Sequence, residues 1–577
     1  MACSSTVARD LHISGKHGRT IERGYDTLRL PGRAWCADGG HRFSGAKPYD
    51  RGVTTAATTK TELTPETSAT ADPVGRRGVP DIVRRRLATL ENWLDPHSWL
   101  VTAVITAIAA ILRLNGISDA KGYIFDEVYY PTDAWDMLQH GVEWDEKNNG
   151  PAYVVHPPLG KWLIALGEKA FGNTELGWRF PAAVAGTLMI LILIRVAYRM
   201  FHSILLAGTA GLLMTLDGFQ LVLSRTSLLD IFLGTFVLAS FAAMVIDRDH
   251  YRRGLLRALE NGYDPRSTPK VPRIVPWWLL VAGALFGLAC GVKWSALFFL
   301  PFFGALIIVW RVQARRSAGV PGRYTAGIPG DLRWGLLSFV LAAIFYLATW
   351  TGWFVTDTGW FRHYRAANGL SEPPVIGALL NLMHYHEEAY GFHSALTSRH
   401  IYQSWPWQWL LLGRPVNLYW PGGTGCGAAS CVRQILLLGT PILWWSFLPA
   451  LAALVWFGVT RRDWRAYAIG TGAAAGLLPW FYYAVKDGRT MFSFYALPAL
   501  PFLILAVVYV LGAIMTPPGG MVTGPRRTDR QLIGIVVAGV YVAVVALCFA
   551  YFFPIFVGQL IPYDSWAARM WLGSRWI

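Results

Sequence analysis

The chain has 577 residues, 53% of them hydrophobic and only 15% charged, which is too apolar for a soluble domain of that length and fits a polytopic membrane protein. Its net charge of +16 gathers in short loops rather than on a basic face interleaved with aromatics, so it speaks to membrane orientation and against a nucleic-acid partner. Six cysteines exclude a disulfide-dense scaffold.

Residues 1–95 carry no sustained apolar period. Their run TTAATTKTELTPETSATADP reads as a disordered cytoplasmic tail, no cleavable signal peptide is expected, and Val53 is an alternative start if its codon is GTG. Residues 96–577 are expected to form one multi-pass, all-α domain. Stretches long enough to cross a bilayer predict about eleven transmembrane helices, at 97–114, 178–198, 203–221, 228–246, 276–292, 295–312, 334–352, 436–457, 466–484, 491–514 and 532–553. Basic clusters close alternate spans: Arg195 and Arg199; Arg248, Arg252, Arg253 and Arg257; Arg311, Arg315 and Arg316; Arg461, Arg462 and Arg465; Arg526, Arg527 and Arg530. The excess of Arg on the cytoplasmic side then puts the N-terminus inside and, with an odd count, the C-terminus outside.

Two long connections fall on the predicted outer side. The first, 115–177, is mainly acidic and contains IFDEVYY, with the adjacent carboxylates Asp126 and Glu127. Acids at the rim of a membrane bundle are functional candidates, against the plainer reading of a turn or cap. Further along, PPLGKWLIALGEKAFG predicts an amphipathic interfacial helix with Trp162, Leu163, Leu166 and Phe171 on one side. The second connection, 352–436, is crowded with Trp, His and Tyr, and loops that long are usually functional.

Polar residues at the span ends share this side: Arg179, Asp217, Arg225, Asp230, Lys293, Lys486, Asp487 and Arg489. Cations there can hold a phosphate by charge-assisted hydrogen bonds, and a neighbouring carboxylate can take a proton from a hydroxyl. Arg179 and Lys293 could equally snorkel to the interface, and His156 could only shape the turn before Pro157 and Pro158. His384 and His386, with Glu387 and Glu388 following, suggest a metal site, but YHEEAY (385–390) lacks the HExxH zinc spacing and reads as a solvated face. Cys426 and Cys431 are close enough for a small disulfide or for none, whereas Cys290 and Cys548 read as buried apolar residues.

In chain order the sequence carries FDE (125–127), HPPLGKW (156–162), WRFPAA (from 178), SRTSLLD (224–230), GVKWSALF (from 291), SRHIYQSWPWQWLLLGRP (from 398) and RTMFSFYALPALPF (from 489). Together these blocks, spanning about 97–577, resemble the protein O-mannosyltransferases in their actinobacterial form, which have the glycosyltransferase C fold. The resemblance implies a polyprenyl-phosphate mannose donor, Ser or Thr hydroxyls of secreted proteins as acceptors, and inversion at the anomeric carbon. It implies Asp126 as general base with Glu127 orienting the acceptor or the site. Arg179 is expected to orient the donor phosphate or a carboxylate, and His156, Lys161, Lys293 and Arg489 are candidates for phosphate and sugar. Trp405, Trp407 and Tyr495 are candidates for acceptor or loop contacts, against a reading of the 402–420 aromatics as an interfacial belt. No metal site is expected, and dependence on a divalent cation, Mg or Mn, stays open. The expected location is the plasma membrane, with the site extracytoplasmic and the Sec translocon as a partner. The second long connection has no room for the β-trefoil domain inserted in eukaryotic members.

Two other readings compete. The same fold could pass a lipid-linked sugar to a glycan or lipid, which only the acceptor distinguishes. A transporter would keep its charges near the bilayer midplane in repeated halves, whereas here they gather at one rim and no internal repeat is visible.

Overall fold

A computed structural model describes residues 79–90, 93–268, 270–516 and 529–577. Most of the predicted tail, and Arg526 and Arg527, lie outside the described residues. Residues 75–577 form one compact unit. Within the stretch read as tail, Asp81–Leu87 is helical and buries Leu87 against Tyr251 and Leu255.

Each of the predicted spans falls on helix; by length and composition eight helices among the described residues suffice to cross a membrane, so the exact count of eleven is not confirmed. The difference has local causes. The 203–221 stretch breaks into Ile204–Thr215 and Gly218–Leu223 because Asp217 caps the second piece. Its carboxylate accepts from Gln220 N (3.0 Å), Thr440 N (3.2 Å) and Trp444 Nε1 (2.7 Å), which ties the break to the start of Pro441–Arg461. The 276–292 stretch is a helix of only 16 residues, Trp277–Val292, entered from Pro276 and left at the extended Lys293. The helix Trp464–Lys486 is long enough at 23 residues but is not among the eight.

Ser493–Met515 and Leu229–Glu260 are the central elements, with 83% and 72% of their apolar windows buried, against 11% for the peripheral Ile328–Thr349. The two centres meet at Phe241 and Phe502, whose rings are 4.9 Å apart. Gly472 lets Trp464–Lys486 approach closely, since a Cβ there would lie 2.2 Å from the Phe502 ring.

The expected helical class holds, with a little sheet set into it. Among the described residues, three two-stranded antiparallel sheets pair Trp144–Asp145 with Gly150–Pro151, Val416–Tyr419 with Ile435–Leu437, and Cys431–Arg433 with Leu560–Pro562. Strands of two to four residues leave too little alternation to read from sequence. The second long connection is not simply a loop either, because it holds the 20-residue helix Ile376–Ala395. The predicted amphipathic helix forms as Leu159–Phe171, with Leu166 and Phe171 exposed and Lys161, Ile164 and Glu168 buried, as suits a helix lying in an interface.

Candidate active site

The helix Glu175–Phe201 begins at Thr174, whose hydroxyl accepts from Gly177 N at 3.2 Å, and this start places Arg179 beneath the first long connection. Arg179 is fully buried. Its Nε and Nη2 donate to the two oxygens of Glu127 at 2.9 and 2.7 Å. Its remaining donors go to the carbonyls of Ile117 (3.2 Å), Ala120 (2.6 Å) and Gly122 (2.8 Å). Glu127 also accepts from Ile124 N at 3.0 Å and Ser227 N at 2.9 Å. A bidentate, fully hydrogen-bonded ion pair of this kind fixes backbone geometry. Arg225 adds a second strap, donating to the carbonyls of Leu112, Arg113, Asn115 and Gly116 at 2.6–3.1 Å.

Clamping produces a strained turn. Phe125 sits at φ +52°, a left-handed conformation rare outside glycine and common at functional sites. Its ring is wedged edge-on against Phe492 (5.8 Å), Phe494 (6.0 Å) and His400 (6.1 Å). The turn sends the neighbouring carboxylates to different fates: Glu127 goes inward to Arg179, and Asp126 stays half-buried. Among the described residues the Asp126 carboxylate accepts no hydrogen bond and forms no ion pair. Burial lifts its pKa to about 6, against the pull of Lys293 and with a push from Asp230. A carboxylate poised near 6 is ionised at neutral pH yet more basic than a free aspartate, which suits proton abstraction.

Lys293 and Asp230 form the adjoining pair, Nζ to Oδ2 at 2.7 Å, with the ammonium also 5.6 Å from the centre of the Phe494 ring and 5.4 Å from that of Tyr495. Lys293 opens onto a cavity of about 260 Å³ whose polar lining includes His156, His393, Arg489 and Tyr495. Arg489 Nη2 donates to His393 Nδ1 at 3.3 Å, and His393 Nε2 donates to the Val155 carbonyl at 3.0 Å, which fixes the His393 tautomer. Arg489 Nε is buried without a partner. Burial, followed by the surrounding cations, pushes His156 well below the usual imidazole value, and burial followed by Arg489 lowers His393 to about 4. Both imidazoles are therefore neutral hydrogen-bonding groups at physiological pH, and the cationic charge facing the cavity belongs to Lys293 and Arg489. The wall beside them is apolar: Leu297, Phe298 and Trp480.

The structure thus brings His156, Lys293, Arg489 and Tyr495 together and leaves other predicted residues elsewhere. Arg179 orients a carboxylate and has no N–H left for a phosphate. Lys161 is buried in a separate knot, bonded to Glu143 and 3.7 Å from Asp133. Trp405 and Trp407 stack on each other at 5.6 Å, with Trp407 against Phe481 at 6.1 Å, outside the cavity lining. His384 stacks on Tyr364 at 3.6 Å and His386 bonds to the Leu382 carbonyl at 2.6 Å. Among the described residues no group of three His, Cys, Asp or Glu is placed to hold a metal ion. Cys426 and Cys431 are disulfide-bonded, and Cys290 and Cys548 are buried and free. Sequence reasoning missed the role of His393, which no motif marks, and the pairing of Asp230 with Lys293, 63 residues apart.

Residues 155–258 match the family described as dolichyl-phosphate-mannose-protein mannosyltransferase, and residues 378–576 match the C-terminal four-transmembrane region of protein-O-mannosyltransferase. A polyprenol-phosphate-mannose–protein mannosyltransferase of Mycolicibacterium smegmatis is 40% identical over 498 residues, covering 83% of this chain and 93% of that protein. The chain belongs to the protein mannosyltransferase family. The enzyme of the same name from Corynebacterium glutamicum is 34% identical, over 83% of this chain and 94% of its own length. The fold of this mannosyltransferase is also that of a solved Saccharomyces cerevisiae structure, the Pmt1-Pmt2 protein O-mannosyltransferase complex bound to the sugar donor. That match has a TM-score of 0.61 at 16% identity, over 87% of this chain and 94% of the other. It is the glycosyltransferase C fold expected from the sequence, in a multi-pass membrane enzyme.

Proposed function

We propose that this mannosyltransferase moves mannose from polyprenyl-phosphate mannose to a Ser or Thr hydroxyl of a secretory polypeptide, in one displacement that inverts the anomeric carbon. Asp126 takes the hydroxyl proton as the oxygen attacks. The sugar–phosphate bond breaks on the opposite side, and the departing phosphate is received by Lys293 and Arg489, whose second Nη makes no hydrogen bond among the described residues and is the donor still available. His156 and His393 contribute neutral hydrogen bonds and positioning, and the prenyl chain runs along the apolar wall of the cavity. Stabilising charge that grows on the leaving oxygens is where such cations act most strongly, and an oxocarbenium-like centre is the expected transition state at a glycosyl carbon.

The observation that carries this reading is the Asp126 carboxylate, uncommitted beside a Lys293–Asp230 pair while its neighbour Glu127 is wholly bound. The arginine distribution supports a plasma-membrane enzyme with its N-terminus cytoplasmic and its site and C-terminus outside, where the Sec translocon would deliver unfolded acceptors. A membrane assay with labelled polyprenyl-phosphate mannose tests it. Label is expected in a Ser/Thr-rich peptide, with anomeric configuration opposite to the donor's. Label only in lipid or glycan, or retained configuration, would refute the proposal. Orientation is tested separately: a tag at Ser574 should be labelled on intact cells.

A further inference from the structure

The largest of the cavities described lies at the other end of the bundle. Along Leu229–Glu260, Asp230 stands beside the reaction site and Arg252 is 22 residues further on, so the two ends are separated by about 33 Å of helix, roughly a bilayer core. There, a cavity of about 1010 Å³ is lined by Arg248, Arg252, Arg316, Arg461, Arg462 and Arg465. The acids near it are already committed. Asp249 is shared by Arg199 (3.1 Å) and Arg248 (2.9 Å), and Asp463 is held by Arg465 at 2.6 Å and by the Tyr509 hydroxyl at 3.1 Å. Among the described residues Arg252, Arg316, Arg461 and Arg462 have no carboxylate partner.

Arg252 is the telling member. It is more than nine-tenths buried, one Nη donates to the Arg86 carbonyl, its Nε is closed off by protein, and its other Nη, which is not closed off, makes no hydrogen bond among the described residues. A buried guanidinium with an idle donor is expensive to keep unless an acceptor comes to it. The rest of the lining says what kind. Leu205, Leu206 and Ile535 form an apolar wall, and Leu205 continues onto the exposed apolar surface of its helix, as do Ile533 and Val536 near Ile535. Cations above an apolar slope are the arrangement that holds a phosphate headgroup while its chains stay in the membrane.

We propose that this cavity binds the phosphate of an anionic lipid, on the membrane face opposite to the one where sugar is transferred. The site is independent of the assignment of Asp126. Its multiple arginines can take two phosphate oxygens at once in the forked geometry that lysine lacks, and a zwitterionic headgroup, whose ammonium would face the same arginines, is disfavoured.

The test is lipid retention by the purified full-length enzyme, read by native mass spectrometry from micelles containing polyprenyl phosphate, phosphatidylglycerol and phosphatidylcholine in equal amounts. The anionic lipids should be retained over phosphatidylcholine, and the preference should fall about tenfold in the surface variant R316Q/R461Q/R462Q and again in R252Q, the loss expected for one or two charge-assisted hydrogen bonds. Because R252Q removes a buried group, its mannosyl transfer is measured alongside; transfer retained with lipid preference lost supports the site. Equal retention of all three lipids, or an unchanged preference in the surface variant, would overturn it. Displacement of bound lipid by inorganic phosphate alone would reassign the cavity to a soluble anion and overturn the lipid claim.

Discussion

Asp126 and Glu127 are adjacent, chemically alike and opposite in use. Glu127 is fully buried and its two oxygens take four donors, so it has nothing left to offer a substrate. Asp126 makes none of these bonds and carries a pKa raised to about 6. The Glu127–Arg179 clamp holds the turn in which the Asp126 carboxylate stays free of hydrogen bonds and ion pairs among the described residues. Under the proposed function, a carboxylate pair in a motif need not be a catalytic pair; one member can supply the geometry that the other uses.

The sharpest way to break this contrast is to remove each charge in turn. Asp126→Asn is expected to lower turnover by about 10²–10⁴-fold, the range for losing a general base, while the protein inserts and melts normally. Glu127→Gln or Arg179→Gln should act through the fold, because a buried ion pair losing one partner destabilises by about 3–5 kcal/mol. A thermal-shift assay should show a depressed midpoint in both, and loss of transfer without loss of stability would make Glu127 a reacting group. Arg489→Gln comes next, raising KM for the lipid donor about tenfold, as for one charge-assisted hydrogen bond, with acceptor KM unchanged. Trp407→Ala should have the smallest effect, within about 0.5 kcal/mol on stability and under twofold on transfer, since the side chain is exposed and away from the cavity.

The pH dependence sharpens the same contrast. Burial favours the protonated form of Asp126, so activity should fall on the acid side with a midpoint near about 6. The sign for stability is the reverse: a raised carboxylate pKa means that ionisation destabilises the fold as pH rises through about 6. Asp126→Asn should therefore melt at or above the parent's temperature above that pH, and with the parent below the ordinary carboxylate range.

Much of this arrangement was legible in the sequence because its signals are local. The acids of IFDEVYY, the Arg179 that opens a span, and the Lys293 and Arg489 that sit between spans all stand out against apolar surroundings. What stayed hidden depends on distance along the chain. The Lys293–Asp230 pair, the His393 support for Arg489 and the strand pairing of Cys431–Arg433 with Leu560–Pro562 join segments that no spacing rule connects. The count of spans is not confirmed where a single buried residue, Asp217, breaks an apolar run into two helices, and where Trp277–Val292 stops at 16 residues. Lys161 looked like a cation free for phosphate because its partners Glu143 and Asp133 sit on other turns of the same connection.

The most direct test is mannosyl transfer by Asp126→Asn in membranes, from labelled polyprenyl-phosphate mannose to a Ser/Thr-rich peptide, normalised to folded protein. A stable enzyme with transfer reduced at least about a hundredfold is predicted. Transfer at the parent rate, or a loss fully explained by unfolding, would contradict the assignment of Asp126 as the base.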